Sequence, residues 1–402
     1  MKKNIKNQLD KIKPKFSEGG KFSKLHSVYE GFESFLFTPD KTSSQGVHIH
    51  DSIDSKRTMI IVVIALIPAL LFGMYNIGYQ RYLTIGELDA GFWTMFLYGF
   101  LAVLPKIIVS YVVGLGIEFA SAQIRGHEIQ EGFLVSGLLI PMICPIETPL
   151  WMIAVATAFS VIFVKEVFGG TGMNIFNVAL MTRAFLFFAY PSKMSGDGVF
   201  VPTSSIFGLG EGTVVDNFSG ATPLGQMATN IGSSMDFTNA IGDPITLWDS
   251  FLGLIPGSIG ETSTLFILIG GLILLFTGIA SWRIMISVFV GGLFMAFIAN
   301  LFPSETYAGS LICPLQHICL GGFAFAAVFM ATDPVTAAHT NVGKYIYGFL
   351  VGVMAILIRV YNSGYPEGAM LAILLMNAFA PLIDYCVVET NIRRRMRRAK
   401  QS

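Results

Sequence analysis

Residues 58–75 read TMIIVVIALIPALLFGMY, eighteen consecutive positions without a charged side chain. At about 1.5 Å of rise per residue, a helix of that length crosses the roughly 30 Å hydrocarbon core of a bilayer. The rest of the chain repeats the pattern. Apolar runs cover Phe92–Ser121, Phe133–Cys144 with an extension to Thr148, Leu150–Phe168 and Ile175–Tyr190. After a polar stretch come Thr264–Ser281, Ile284–Leu301, Pro314–Thr332, Tyr345–Tyr361 and Ala369–Val388. The composition agrees: 53% of the 402 residues are hydrophobic and only 13% charged, too little charge to cover a water-soluble surface of this size.

Charge placement gives the orientation. Lysine and arginine total 26 against 26 acids, so net charge identifies no partner, and nothing points to nucleic acid. The first 24 residues hold eight lysines, and Arg393–Lys400 holds five arginines and a lysine. Between Tyr190 and Ser263 the only basic residue is Lys193, against seven acids. Basic loops stay inside, so both termini are expected in the cytoplasm and the span count is even. Ten spans then put Arg125, Lys165, Arg283 and Lys344 at cytoplasmic ends, an agreement independent of the charged termini. The basic N-terminal stretch runs into polar sequence rather than an apolar core, so it does not read as a signal peptide. The expected organisation is a cytoplasmic segment 1–56, membrane segments 57–190, an extracytoplasmic loop 191–263, membrane segments 264–390 and a basic cytoplasmic tail 391–402.

Several runs are too short or too broken to be plain rods. Pro141 and Pro145 interrupt the third, Asp333-Pro334 ends the eighth, and the second is too long for one straight span and contains Pro105. Proline breaks in lipid are tolerated where they line protein or a cavity, as in the discontinuous helices of transporters. The breaks also repeat. Gly132-Phe133 leads to Cys144-Pro145 as Gly322-Phe323 leads to Asp333-Pro334. Leu180-Met181-Thr182-Arg183-Ala184-Phe185 parallels Leu374-Leu375-Met376-Asn377-Ala378-Phe379. Five spans per copy require opposite orientations, so the fold expected is an all-α integral membrane protein of two inverted five-helix repeats, urea-transporter-like. Chance similarity of glycine-rich apolar sequence is the competing account.

Ionisable residues inside such spans are costly and usually functional. Arg183, Arg359, Glu118, Asp333 and Asp384 meet that description. Carboxylate oxygens suit sodium or a proton relay. Glu118 and Asp384 lie near the cytoplasmic end, where a carboxylate can equally meet water or cap a helix; Asp333 stands at a helix break. Cys144, Cys313, Cys319 and Cys386 have no cluster-binding spacing and read as small buried hydrophobes. Gly169-Gly170-Thr171-Gly172 lacks phosphate-loop spacing and reads as a turn between packed helices. In the polar stretch, Ser219-Gly220-Ala221-Thr222 is an exposed turn ending in a hydroxyl, a weak signal alone. Its small residues would admit a bulky ring near the backbone.

Taken jointly, a set of strings resembles a known family. They are Asp51-Ser52-Ile53-Asp54-Ser55-Lys56-Arg57, Gly126-His127-Glu128-Ile129, Lys165-Glu166-Val167-Phe168-Gly169-Gly170-Thr171-Gly172 and Arg183-Ala184-Phe185-Leu186-Phe187-Phe188-Ala189-Tyr190-Pro191. Ser219-Gly220-Ala221-Thr222, Ile255-Pro256-Gly257-Ser258-Ile259-Gly260-Glu261, Ala331-Thr332-Asp333-Pro334 and Tyr365-Pro366-Glu367-Gly368 complete it. The chain resembles, over nearly its whole length, the B subunits of the bacterial Na+-translocating NADH:quinone oxidoreductase, relatives of the D subunits of the ferredoxin-linked Rnf complex. The segment before the first span favours the quinone-reductase branch.

The resemblance implies FMN joined through its phosphate to the Thr222 hydroxyl, with Ser219, Gly220 and Ala221 beside it, and a noncovalent riboflavin. It implies electrons passing from NADH through other membrane and peripheral subunits of a six-subunit complex to ubiquinone or menaquinone, coupled to sodium export across the bacterial inner membrane. Acids matching Glu30, Glu118, Asp333 and Asp384 are linked to sodium handling, Glu30 indirectly. The quinone region maps to Val113-Gly114-Leu115, where Leu115 replaces a frequent second glycine. An Rnf-type subunit and a cofactor-free solute channel are the alternatives.

Overall fold

The computed structural model describes residues 9, 11–16, 29, 33, 37, 45–47, 55–87, 89–125, 132–216, 218–229, 237–304, 306–362 and 364–400. Among these residues every regular element is helical; the only β-type pairing is three isolated bridges. Five helices are long and apolar enough to cross a membrane: α1 Ser55–Thr84, α2 Phe92–Arg125, α9 Trp282–Leu301, α12 Asn341–Tyr361 and α13 Ala369–Ala399. Shorter apolar helices are α3 Phe133–Met142, α5 Val178–Ala189 and α8 Thr264–Phe276. Between α3 and α5 lies α4 Leu150–Ser160, continued by a π-helical stretch Val161–Glu166. The polar stretch carries α6 Pro223–Thr229 and α7 Leu247–Leu252; α10 Pro314–Cys319 and α11 Phe323–Phe325, with a π continuation Ala326–Met330, precede α12.

These helices are apolar outside as well as inside. Trp93, Phe163, Phe276 and Phe297 are exposed on their outer surfaces, the pattern of a protein whose exterior meets lipid. Cys313 and Cys386 are exposed too, contrary to the expectation that all four cysteines are buried; an apolar run in a membrane helix has an outward face as well as a core face. The second run also differs from expectation. It forms one continuous helix through Pro105, and its 34 residues extend about 51 Å, so its ends project beyond the hydrocarbon core.

Close packing rests on glycine at two places where a phenyl ring abuts the helix. A Cβ at Gly114 of α2 would overlap the ring of Phe133, and a Cβ at Gly292 of α9 would overlap the ring of Phe323. Each phenyl is the first residue of the short broken element that follows. Helix association in lipid depends on such close approach, because burying apolar surface from lipid yields little.

The breaks leave backbone carbonyls that have no water to turn to, and buried cations answer them. After α3 ends at Met142, Gly260 N–H donates to the Met142 carbonyl at 2.7 Å and Lys106 Nζ to the Thr148 carbonyl at 2.7 Å. After α10, Gly321 and Gly322 take left-handed φ values of 59° and 68°. Arg359 of α12 reaches into that break, donating to the carbonyls of Leu320 at 3.0 Å and Gly321 at 3.3 Å, and to that of His317.

The polar stretch is tied down. Val215 N–H donates to the last carbonyl of α1, Thr84, and Arg81 donates to the Gly210 carbonyl at 3.0 and 2.7 Å. Leu224, Met227, Phe237, Ile245 and Ile255 form a second small core with Ala308, Ile312 and Leu320. That core holds Leu224 and Met227, in the short helix that Thr222 precedes.

Candidate functional site

Thr222 precedes Pro223, the first residue of α6, so it takes the N-cap position. Its Oγ1 accepts from Gly225 N–H at 3.1 Å. Gln226 clamps the turn: its amide nitrogen donates to the carbonyls of Ala221 at 3.2 Å and Thr238 at 2.7 Å, and its carbonyl accepts from Thr238 N–H at 3.0 Å. Ser219 N–H donates to the Ala240 carbonyl at 3.2 Å. Gly220 lies against the Asp197 carbonyl, with no room there for a side chain.

Thr222 is half-buried and stands on the wall of two cavities. The larger, about 300 Å³, is lined by Phe187, Asp197, Phe200, Gly225, Tyr365 and others. Phe187 and Tyr365 meet edge to face, with ring centroids 4.4 Å apart. The Tyr365 hydroxyl is buried and has no hydrogen-bond partner among the described residues. The smaller cavity, about 30 Å³, is lined by Thr222, Ser258, Glu261, Thr262, Gly322 and Glu367. The two share Phe200, Thr222 and Glu367.

Behind the smaller cavity lies a buried ionic cluster. Arg183 of α5 pairs with Glu367, lies 3.8 Å from Glu261 Oε2, and donates to Ser258 Oγ at 3.1 Å. Arg183 was readable as an intramembrane charge; its partners were not. Glu261 and Glu367 sit in the strings IPGSIGE and YPEG, which stand out only as family markers, with nothing in them to say that they converge on one guanidinium.

The other expected residues lie apart from Thr222. Asp333 is in the turn after the second π stretch. Its Oδ1 accepts from Val335 N–H at 3.0 Å; its Oδ2 accepts from Asn177 Nδ2 at 3.0 Å and Thr336 Oγ1 at 3.2 Å. Glu118 of α2 is paired with Lys165 from the first π stretch, both side chains 5% exposed. The pair holds the Glu118 carboxylate away from water. Lys165, Asn177 and Asp333 line one cavity of about 110 Å³ with Thr58, Ser136 and Thr171. Asp384 takes the capping role: its carboxylate accepts from the N–H groups of His339 and Thr340 at 2.7 and 3.0 Å, next to the N-terminus of α12. Gly114 is buried against Phe133, and Leu115 packs at the edge of the core. Glu30 lies outside the described residues.

Fold and site together define a class: a multi-pass α-helical membrane protein whose helix breaks hold buried charge, with a structured loop carrying a cavity and a hydroxyl at one face. Comparison with known proteins narrows it. Residues 42–393 match the NQR2, RnfD, RnfE family. The B subunit of the Na(+)-translocating NADH-quinone reductase of Chromohalobacter salexigens is 45% identical over 420 residues, covering 98% of this chain and 96% of its own. Subunits of the same name from Ectopseudomonas mendocina and Yersinia pestis are each 45% identical, over 417 and 424 residues, and cover 98% of this chain; 99% and 100% of their own lengths are covered. The chain belongs to the NQR2, RnfD, RnfE family.

Proposed function

We propose that the chain is the B subunit of a Na+-translocating NADH:quinone reductase of the bacterial inner membrane, one of six subunits, carrying FMN esterified to Thr222 and a riboflavin. Full-length similarity to subunits of that name carries this reading and favours it over the Rnf-type alternative. The chain crosses the membrane ten times as two inverted repeats with both termini in the cytoplasm. The similar seats of Phe133 on Gly114 and Phe323 on Gly292 support that plan.

The residues around Thr222 suit the flavin. Its hydroxyl is half-buried rather than enclosed, Gly220 and Gly225 keep the turn narrow, and the adjoining cavity is walled by Phe187, Phe200 and Tyr365. A volume of about 300 Å³ is at the small end of cofactor pockets. Bound there, FMN supplies reversible electron transfer. The chain's own part would be to hold the ester: Gln226 fixes the turn, the Gly225 N–H is directed at Oγ1, and Phe187, Phe200 and Tyr365 wall the cavity beside it. Sodium enters through the cavity of Asp333 and Lys165 at the cytoplasmic face, with the Glu118–Lys165 pair beside it.

In-gel fluorescence of the denatured complex tests the assignment. A fluorescent band should migrate with this chain and vanish in Thr222→Ala. A band that persists in the mutant refutes attachment at Thr222; no band in the wild type favours the cofactor-free channel.

A further inference from the structure

Glu261 is 6% exposed, and its Oε1 has no hydrogen-bond partner; neither has the Oγ1 of its neighbour Thr262, 4% exposed. Both residues line the smaller cavity with Thr222. At about 30 Å³ that cavity admits one species the size of a water molecule. A bare carboxylate oxygen in a buried place is costly and calls for a donor or a cation.

The charge balance decides which. Two guanidinium groups lie behind the cavity walls: Arg183 pairs with Glu261 and Glu367, and Arg359 donates to backbone carbonyls, Glu367's at 3.3 Å among them. They balance the buried Glu261 carboxylate and the partly exposed Glu367 carboxylate and leave nothing over. Asp197, on the larger cavity, is exposed and screened by water. No lysine, arginine or histidine among the described residues lines either cavity. A phosphodiester on Thr222 adds one negative charge to this wall and meets no cation there. The excess is a single charge, so the counter-ion is monovalent. Its available ligands are a carboxylate, a hydroxyl and a phosphoryl oxygen, all hard donors.

We infer that one sodium ion sits between the Thr222 phosphoester and Glu261, held by Glu261 Oε1 and Thr262 Oγ1, as a station at the face opposite the Asp333 cavity. The inference rests on the flavin reading for the ester's charge. The ion makes that charge tolerable in a partly buried wall and ties sodium occupancy to the flavin that receives electrons. Thr222, Phe200 and Glu367 are common to both cavities, so the ion lies beside the flavin's cavity.

The test counts sodium and flavin separately on the intact complex. Radiosodium binding at equilibrium, with in-gel fluorescence on the same samples, is compared in wild type, Glu261→Gln, Thr262→Val and Thr262→Ser. Glu261→Gln should bind one sodium ion fewer per complex while keeping its fluorescent band. Thr262→Val, which keeps shape and loses only the hydroxyl, should bind that ion roughly tenfold more weakly, and Thr262→Ser should restore it. Thr262→Val also answers if Glu261→Gln does not assemble. An unchanged sodium count and affinity in these variants, with the band present, overturns the cation site and leaves the flavin reading standing. A wild-type infrared band of a protonated carboxyl that disappears in Glu261→Gln, with sodium binding unchanged, assigns the oxygen to a proton and overturns it equally. Absence of the band from wild type sinks the flavin reading by fluorescence alone, and with it the ester's charge on which the inference rests.

Discussion

Asn177 Nδ2 donates to Asp333 Oδ2 at 3.0 Å, joining residues 156 positions apart and tying the N-cap of α5 to the turn after the second π stretch. The same asparagine accepts from Leu180 N–H at 3.2 Å, so one side chain both caps α5 and holds the Asp333 carboxylate. A break in a membrane helix gains from such a tie, because it is not held by its own backbone ladder.

Asp333→Asn keeps the side chain's shape and removes its charge. Thermal stability should fall by no more than about 1 kcal/mol, the scale of one altered hydrogen bond. Sodium uptake into proteoliposomes should drop by at least tenfold. Uptake at the wild-type rate would remove the Asp333 charge from the cation path. Asn177→Ala offers the complementary case, with the charge kept and its orientation lost.

The Glu118–Lys165 pair is buried on both sides, so its halves are unequal to its whole. Lys165→Met alone strands Glu118 and should destabilise the protein by about 3–5 kcal/mol. Lys165→Met with Glu118→Gln should recover most of that loss, seen as a higher apparent Tm than the single variant. Equal instability of the single and double variants would mean that Lys165 stabilises by packing its stem rather than by pairing.

How far the sequence could lead is clear from these residues. The apolar run 58–75 announced a membrane helix because length and absent charge are local properties, and Asp333-Pro334 announced a break because proline acts on its own backbone. Lys165 read only as a mark of the cytoplasmic end. The π stretch accompanies its burial against a carboxylate 47 positions away, a relationship no local pattern encodes. Asp384, a candidate for the sodium path or for an interface role, accepts from the N–H groups of His339 and Thr340, a turn 44 and 45 positions away that nothing local announces. The convergence of Glu261 and Glu367 on Arg183 belongs to the same kind: Arg183 stood out as an intramembrane charge, but its two partners come from other segments.

Gly114 separates packing from quinone contact. A methyl group there would overlap the Phe133 ring, so Gly114→Ala should lower stability by about 1–3 kcal/mol, the usual cost of overpacking. Adding Phe133→Leu should restore stability. If Gly114 serves only as that seat, the double variant should also recover its KM for quinone. Stability that returns while KM stays raised would keep Gly114 in the quinone region.

Gly220 makes the last case, and it isolates the turn from the hydroxyl. Its position against the Asp197 carbonyl leaves no room for a side chain, although its φ is not left-handed. Gly220→Ala must therefore push residues 219–222 away from the 197 segment while Thr222 itself remains. The Gln226 clamp on Ala221 and Thr238 would be strained with it. The in-gel fluorescent band should weaken severalfold in Gly220→Ala, whereas Ala221→Gly, which adds no bulk, should leave it near the wild-type intensity. A full band in Gly220→Ala would show that attachment needs the Thr222 hydroxyl alone and not the seated turn that the Asp197 carbonyl and Gln226 enclose.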